Sequence, residues 1–159
     1  MGGVLSLYHA SFLPAVGVIA MSTPYQLEPG PKLTFLPILS RFVPYAGKGK
    51  SDWKDPDAEE DHFSYARYPT RAILQLNRLI KTMQKSLPDV KMPALLIHSK
   101  KDSGVIPENM NWISSKIGTP APSIKKIWLE NSGHVVTRDL EKDLVFESIG
   151  DFIQEVLDA

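Results

Sequence analysis

Residues 92–107 read MPALLIHSKKDSGVIP, and the fold turns on how they are interpreted. After Pro93 comes an unbroken apolar run, Ala94 to Ile97, closed by His98 and followed by a polar tract that carries Asp102. A short continuous apolar run bounded by turn residues fits a strand buried on both faces, as in a parallel sheet. Two further segments share this character: VGVIAMS (16–22) earlier in the chain and SIKKIWLE (123–130) after it.

The intervening segments have helical period. TRAILQLNRLIKTMQKSLPDV (70–90) sets Ile73, Leu76, Leu79, Ile80, Met83 and Leu87 on one stripe, with Pro88 closing the helix. PENMNWISSKIG (107–118) reads as a helix that starts near Pro107 and stops at Gly118. Val4 to Phe12 suits a short buried helix ended by Pro14. A last helix runs from about Leu140 to Leu157, with Leu144, Val145, Ile149, Phe152, Ile153, Val156 and Leu157 expected as its buried stripe. Strands alternating with helices predict an α/β fold, a parallel sheet of about three strands covered on both faces.

From Thr23 to about Pro69 the character changes. This stretch holds most of the prolines, a weakly amphipathic segment at Leu33 to Phe42, and the polar tract GKGKSDWKDPDAEED (47–61). A long solvated loop and a lid over a site are both open readings, since long ordered loops in compact domains tend to be functional.

Composition narrows the function. With 159 residues, 18 basic and 18 acidic, the chain can bury a real core and has no net field to draw it to nucleic acid or an anionic membrane. The absence of cysteine removes thiolate metal sites and cysteine nucleophiles and fits a cytoplasmic protein. The apolar run at 4–21 lacks a basic flank and is broken by His9, Ser11 and Pro14, so it reads as core, neither leader nor membrane span.

In a parallel sheet, catalytic groups gather at the carboxyl ends of the strands. Asp102 follows one strand there; His134, in WLENSGHVVT (128–137), follows the next. Singly, each also fits a turn or loop residue. Together they form the arrangement in which a carboxylate orients an imidazole, leaving its other nitrogen as general base, and their order suits a Ser, Asp, His triad.

Those two loops also carry a family likeness. LLIHSKKDSGVIPENMNWISSKIG and KKIWLENSGHVVTRDLEKDLVFESIGDFI resemble the carboxyl-terminal part of the carboxylesterase and monoacylglycerol-lipase branch of the α/β-hydrolase superfamily, and MGGVLSLYHA resembles the continuation of its nucleophile elbow. The resemblance implies Asp102 as the acid and His134 as the base. SYARYPTRAILQL resembles the return from cap to core, which implies a cap over 31–69 and a core of 1–30 and 70–159. It implies Met1 as the residue after the nucleophile, lending its N–H to the oxyanion hole, with the serine just before it and the earlier strands missing: a truncated α/β-hydrolase fold. The family uses no cofactor or metal, and His9, His62, His98 and His134 show no ligand spacing. The implied activity is serine-based hydrolysis of a short- to medium-chain carboxylic ester or a monoacylglycerol. Ser6, Ser103 and Ser132 are the substitute nucleophiles to weigh. The alternative is a non-catalytic module that binds an apolar ligand or assembles as a homodimer or higher oligomer, by strand addition across Val16 to Ser22 or by exchange of the Val4 to Phe12 helix, with no nucleic-acid or integral-membrane role.

Overall fold

Ala94 to Ser99 form a strand buried at every position, β4, and the rest of the core is built around it. In the computed structural model β4 lies between β1 (Val18–Met21) and β5 (Ile124–Leu129), parallel to both, in the order β1-β4-β5. The structure describes residues 1–27, 31–47, 49, 51–63 and 65–158; at 31–34 and 39 only the backbone is described.

The period-2 alternation of a strand sends successive β4 side chains to opposite faces. Ala94 and Leu96 join a cluster with Val4 and Leu7 of α1 (Gly2–Ala10), Ile80 and Met83 of α4 (Thr70–Ser86), and Met110 and Ile113 of α5 (Glu108–Lys116). Leu95 and Ile97 join the other cluster, with Leu129 and with Val145 and Phe152 of α6 (Lys142–Asp158). Both faces are covered, which is why β4 reads as a continuous apolar run.

The stripe expected on α6 is corrected by the structure. Val145 and Phe152 are buried and Ile149 and Val156 half-buried, whereas Leu144, Ile153 and Leu157 are exposed. Residues 145, 149, 152 and 156 fall within one narrow arc of the helix, and α6 meets only one sheet face, so flanking apolar positions have nothing to bury against.

The stretch left open as loop or lid has elements of its own. It holds α2 (Pro31–Phe42), β2 (Tyr45–Gly47), α3 (Pro56–Glu60) and β3 (Arg67–Pro69), with β2 and β3 paired antiparallel in a separate small sheet. Leu36 and Ser40 of α2 are buried and Phe35, Ile38 and Phe42 exposed; the expected apolar positions Leu33 and Leu39 lie outside the described side chains. Asp55 caps α3, its Oδ1 accepting from the N–H groups of Asp57 and Ala58, with Pro56 in the first turn. At the start of α4, Thr70 donates its hydroxyl to the carbonyl of Val43 at 2.5 Å and its N–H to that of Pro44 at 3.0 Å.

Candidate active site

The turn after β4 carries Asp102 and the turn after β5 carries His134, and because the two strands are neighbours their loops meet. Nδ1 of His134 lies 2.9 Å from Oδ2 of Asp102. The acid is buried, while the imidazole is 39% exposed.

Asp102 is saturated with donors. Its Oδ1 accepts the N–H groups of Gly104 at 2.9 Å and Val105 at 2.8 Å; its Oδ2 also faces Nε2 of His98, 3.2 Å away. Nε2 of His98 lies 3.0 Å from the carbonyl of Val105 as well. Both neighbours of that nitrogen are acceptors, so Nε2 of His98 carries a proton and donates it. Burial pushes the Asp102 carboxyl up, but the hydrogen bonds and charge of His134, the His98 bond and the Val105 N–H outweigh it. The net result holds Asp102 well below the usual carboxylate range. An ionised Asp102 accepts only, so Nδ1 of His134 is its donor, and in the neutral ring the free electron pair sits on Nε2.

The loop that presents His134 is fixed by side chains from four directions. Glu141 accepts from the N–H groups of Glu130 at 3.0 Å and of Asn131 and Ser132 at 2.8 Å each, and from the Ser132 hydroxyl at 2.8 Å. Burial pushes the Glu141 carboxyl up, but these bonds together outweigh it and leave it below the ordinary value. Ser99 donates its hydroxyl to the carbonyl of Ser132. Asp139, fully buried, takes the N–H of Gly133 at 2.7 Å. Ser22, at the end of β1, donates its hydroxyl to the carbonyl of His134 at 2.9 Å and holds a left-handed φ of 45°. A non-glycine residue there carries strain of about 1–3 kcal/mol, the kind of cost that clusters at functional sites.

The segment between β2 and α3 closes the ring. Asp139 also accepts from the N–H groups of Lys54 at 3.2 Å and Asp55 at 2.8 Å. Oδ2 of Asp52 accepts from the N–H of His134 at 2.8 Å and of Ser103 at 3.0 Å. The approach is close: a Cβ on Gly133 would stand 1.8 Å from the Asp52 carbonyl oxygen. Only glycine fits there.

His134 stands between two clefts. One, of about 370 Å³, is lined by Met1, Gly3, Ser6, Met21, Ser22 and Val136 among others; the other, of about 590 Å³, by Asp52, Trp53, Glu59, His62, Tyr65 and Gly104. Met1 thus borders the same cleft as the imidazole. Of the three serines weighed as nucleophiles, Ser6 is exposed on the first cleft and donates to the Gly2 carbonyl at 3.2 Å. Ser103 donates to Asp52 at 2.5 Å and Ser132 to Glu141 at 2.8 Å. None of the three is hydrogen-bonded to the His134 ring among the described residues. Among the described residues there is also no cluster of three metal-ligating side chains, and no helix is long and apolar enough to cross a membrane.

Sequence reasoning missed His98, Asp52, Ser22, Asp139 and Glu141. His98 left a signal, as a polar residue ending an apolar run four places before an acid. Asp52 left none: it stands 82 positions from the histidine it contacts.

No family model matches the chain. It is similar to a carboxylesterase of Bacillus subtilis (strain 168), 26% identical over 98% of the chain and 61% of that protein. It is also similar to a thermostable monoacylglycerol lipase of Bacillus sp. (strain H-257), 32% identical over 92% of the chain and 57% of that protein. Among solved structures, a metagenome-derived lipolytic enzyme superposes with a TM-score of 0.87 at 31% identity, covering 98% of the chain and 62% of its own. The monoacylglycerol lipase of Paleococcus ferrophilus superposes with a TM-score of 0.77 at 18% identity, over 97% of the chain and 65% of its own. The chain therefore spans about three fifths of the length of the curated relatives it matches.

Proposed function

We propose, for a chain that belongs to the α/β-hydrolases beside their carboxylesterases and monoacylglycerol lipases, that Asp102 and His134 are the acid and base of a carboxylic ester hydrolase. The observation that carries this reading is the 2.9 Å bond between Nδ1 of His134 and Oδ2 of Asp102, which leaves Nε2 as the ring's remaining basic nitrogen beside open clefts. In the reaction, Nε2 takes the proton of a serine hydroxyl as its oxygen attacks the ester carbonyl. The tetrahedral intermediate collapses, the alcohol leaves with the proton returned from Nε2, and water repeats the sequence on the acyl-serine. Asp102 stays ionised throughout and steadies the imidazolium.

The resemblance of MGGVLSLYHA to the continuation of a nucleophile elbow supports a serine acting at the cleft that Met1, Gly2, Gly3 and His134 share. Met1 contributes its N–H to the oxyanion. Residues 31–69 act as the cap, and the cleft lined by Trp53, His62 and Tyr65 lies where a short- to medium-chain acyl ester or a monoacylglycerol would meet it. The test is hydrolysis of p-nitrophenyl butanoate by purified protein, with His134→Ala in parallel. The reading expects turnover that the substitution lowers by orders of magnitude; equal rates, or no turnover in either protein, overturn it.

A second reading has its own observation. β1 pairs with β4 on one side, and among the described residues no strand pairs with its other side. An open edge is a template for another chain, and self-association as a homodimer through Val16 to Ser22 satisfies it. Sedimentation equilibrium at micromolar concentration checks this: a dimer supports it, and a folded monomer near 17.7 kDa overturns it.

A further inference from the structure

The proposed reaction uses Asp102 and His134, but one carboxylate outside that pair touches both of their loops. Oδ2 of Asp52 accepts at once from the N–H of His134, at 2.8 Å, and from the N–H of Ser103, the residue after the acid, at 3.0 Å. Its Oδ1 accepts from the Ser103 hydroxyl at 2.5 Å and from Nζ of Lys54 at 3.2 Å. The side chain is 15% exposed, and among the described residues its polar contacts to the core are to these two loops. A single oxygen shared by two amides fixes their separation, because both bonds keep good length only when the loops stand at one distance.

Asp52 does not belong to the core. It lies between β2 and α3, in a segment whose Lys54 and Asp55 are held by Asp139, the residue that also holds Gly133. The segment and the histidine loop are thus latched twice, once by a carboxylate reaching inward and once by a carboxylate reaching outward. We infer that Asp52 is a positioning residue that couples the seating of the 31–69 segment to the His134–Asp102 geometry, so that the pair is aligned only while this segment is docked. The inference deepens the ester-hydrolase reading and rests on it for any effect on rate, but the alignment itself can be observed without turnover.

The experiment is proton NMR of the His134 ring with nitrogen-15 editing, on the unmodified chain, Asp52→Ala and Asp52→Asn. The Nδ1–H bonded to Asp102 should give a downfield resonance in the unmodified protein. In Asp52→Ala it should broaden beyond detection. In Asp52→Asn it should return, since one amide oxygen still accepts both N–H groups and the amide nitrogen donates to the Ser103 hydroxyl. A merely structural role would lower the unfolding midpoint of Asp52→Ala without touching this resonance in the folded protein, and that result overturns the inference. If Asp52→Ala does not fold, amide hydrogen exchange in the unmodified chain decides the matter: the N–H groups of Lys54, Asp55, Ser103 and His134 should exchange at a common rate, as one opening unit. Rates for Ser103 and His134 tenfold or more slower than for Lys54 and Asp55 overturn it. Where p-nitrophenyl butanoate is hydrolysed, Asp52→Ala should lower kcat at least tenfold with KM within about twofold; absence of hydrolysis in all three proteins counts against the ester-hydrolase reading and leaves the NMR comparison to judge Asp52.

Discussion

Gly133→Ala strikes the contact on which the site's alignment depends. The added Cβ meets the carbonyl oxygen of Asp52 at 1.8 Å and its carbon at 2.8 Å, and since both are backbone atoms no side-chain rotation relieves the clash. Ordinary contact begins near 3.4 Å, so the two segments must part by about 1.6 Å, the difference between 3.4 and 1.8. Four backbone N–H groups donate across that seam: those of Lys54 and Asp55 to Asp139, and those of Ser103 and His134 to Asp52. An opening of this size takes bonds of 2.8–3.2 Å out of range. Each has a charged acceptor worth about 1.5–3 kcal/mol when kept dry. Water enters the opened seam and recovers part of this, leaving a loss of about 3–5 kcal/mol. In a domain of this size that corresponds to a fall in Tm of about 10 °C. Thermal unfolding followed by circular dichroism measures it, and limited proteolysis between residues 43 and 66 reports whether the segment detaches first. A variant within about 0.5 kcal/mol of the parent, equally resistant to protease, would refute the reasoning.

Other expectations follow from the same contacts. Asp102, Asp52 and Glu141 all have carboxyls lowered in the folded state, so each contributes stability that is present above the unfolded value, about 4, and lost as pH falls through the folded one. The unfolding midpoint should therefore drop between about pH 5 and pH 2, and Asp102→Asn should make that slope shallower. Leu96→Ala, in the central strand at 1% exposure, should cost about 2–5 kcal/mol by denaturant titration. Leu144→Ala, on the open side of α6 at 43% exposure, should stay within about 1 kcal/mol by the same assay.

The sheet and its helices were legible because each rests on a period the chain cannot hide: β4 is apolar at every place since both faces are covered, and α4 repeats its apolar residues every third or fourth position. The meeting of the Asp102 and His134 loops was legible for a related reason, since strands consecutive in sequence are usually neighbours in a sheet. Asp52 was not legible. Its role depends on where an irregular segment folds back, and a carboxylate in the tract SDWKDPDAEED carries no local mark separating it from solvated neighbours such as Asp57. The exposed side of α6 escaped notice because an apolar residue looks the same in sequence whether or not an element exists to cover it. Ser22 was hidden too, since a left-handed φ on a serine is imposed by its surroundings and not announced by its type.

The central claim is that Asp102 fixes His134 with Nε2 as the base of an ester hydrolysis, and Asp102→Asn tests it most directly. The amide keeps the place of the carboxylate, with its oxygen able to accept from Gly104 and Val105, and turns an N–H₂ toward Nδ1 of His134. That imidazole must then hold its proton on Nε2 and cannot act as base. Measured with p-nitrophenyl butanoate near pH 7, kcat/KM should fall by about 10³- to 10⁴-fold, with the loss in kcat. An Asp102→Asn protein that keeps the parent's kcat/KM would contradict the account.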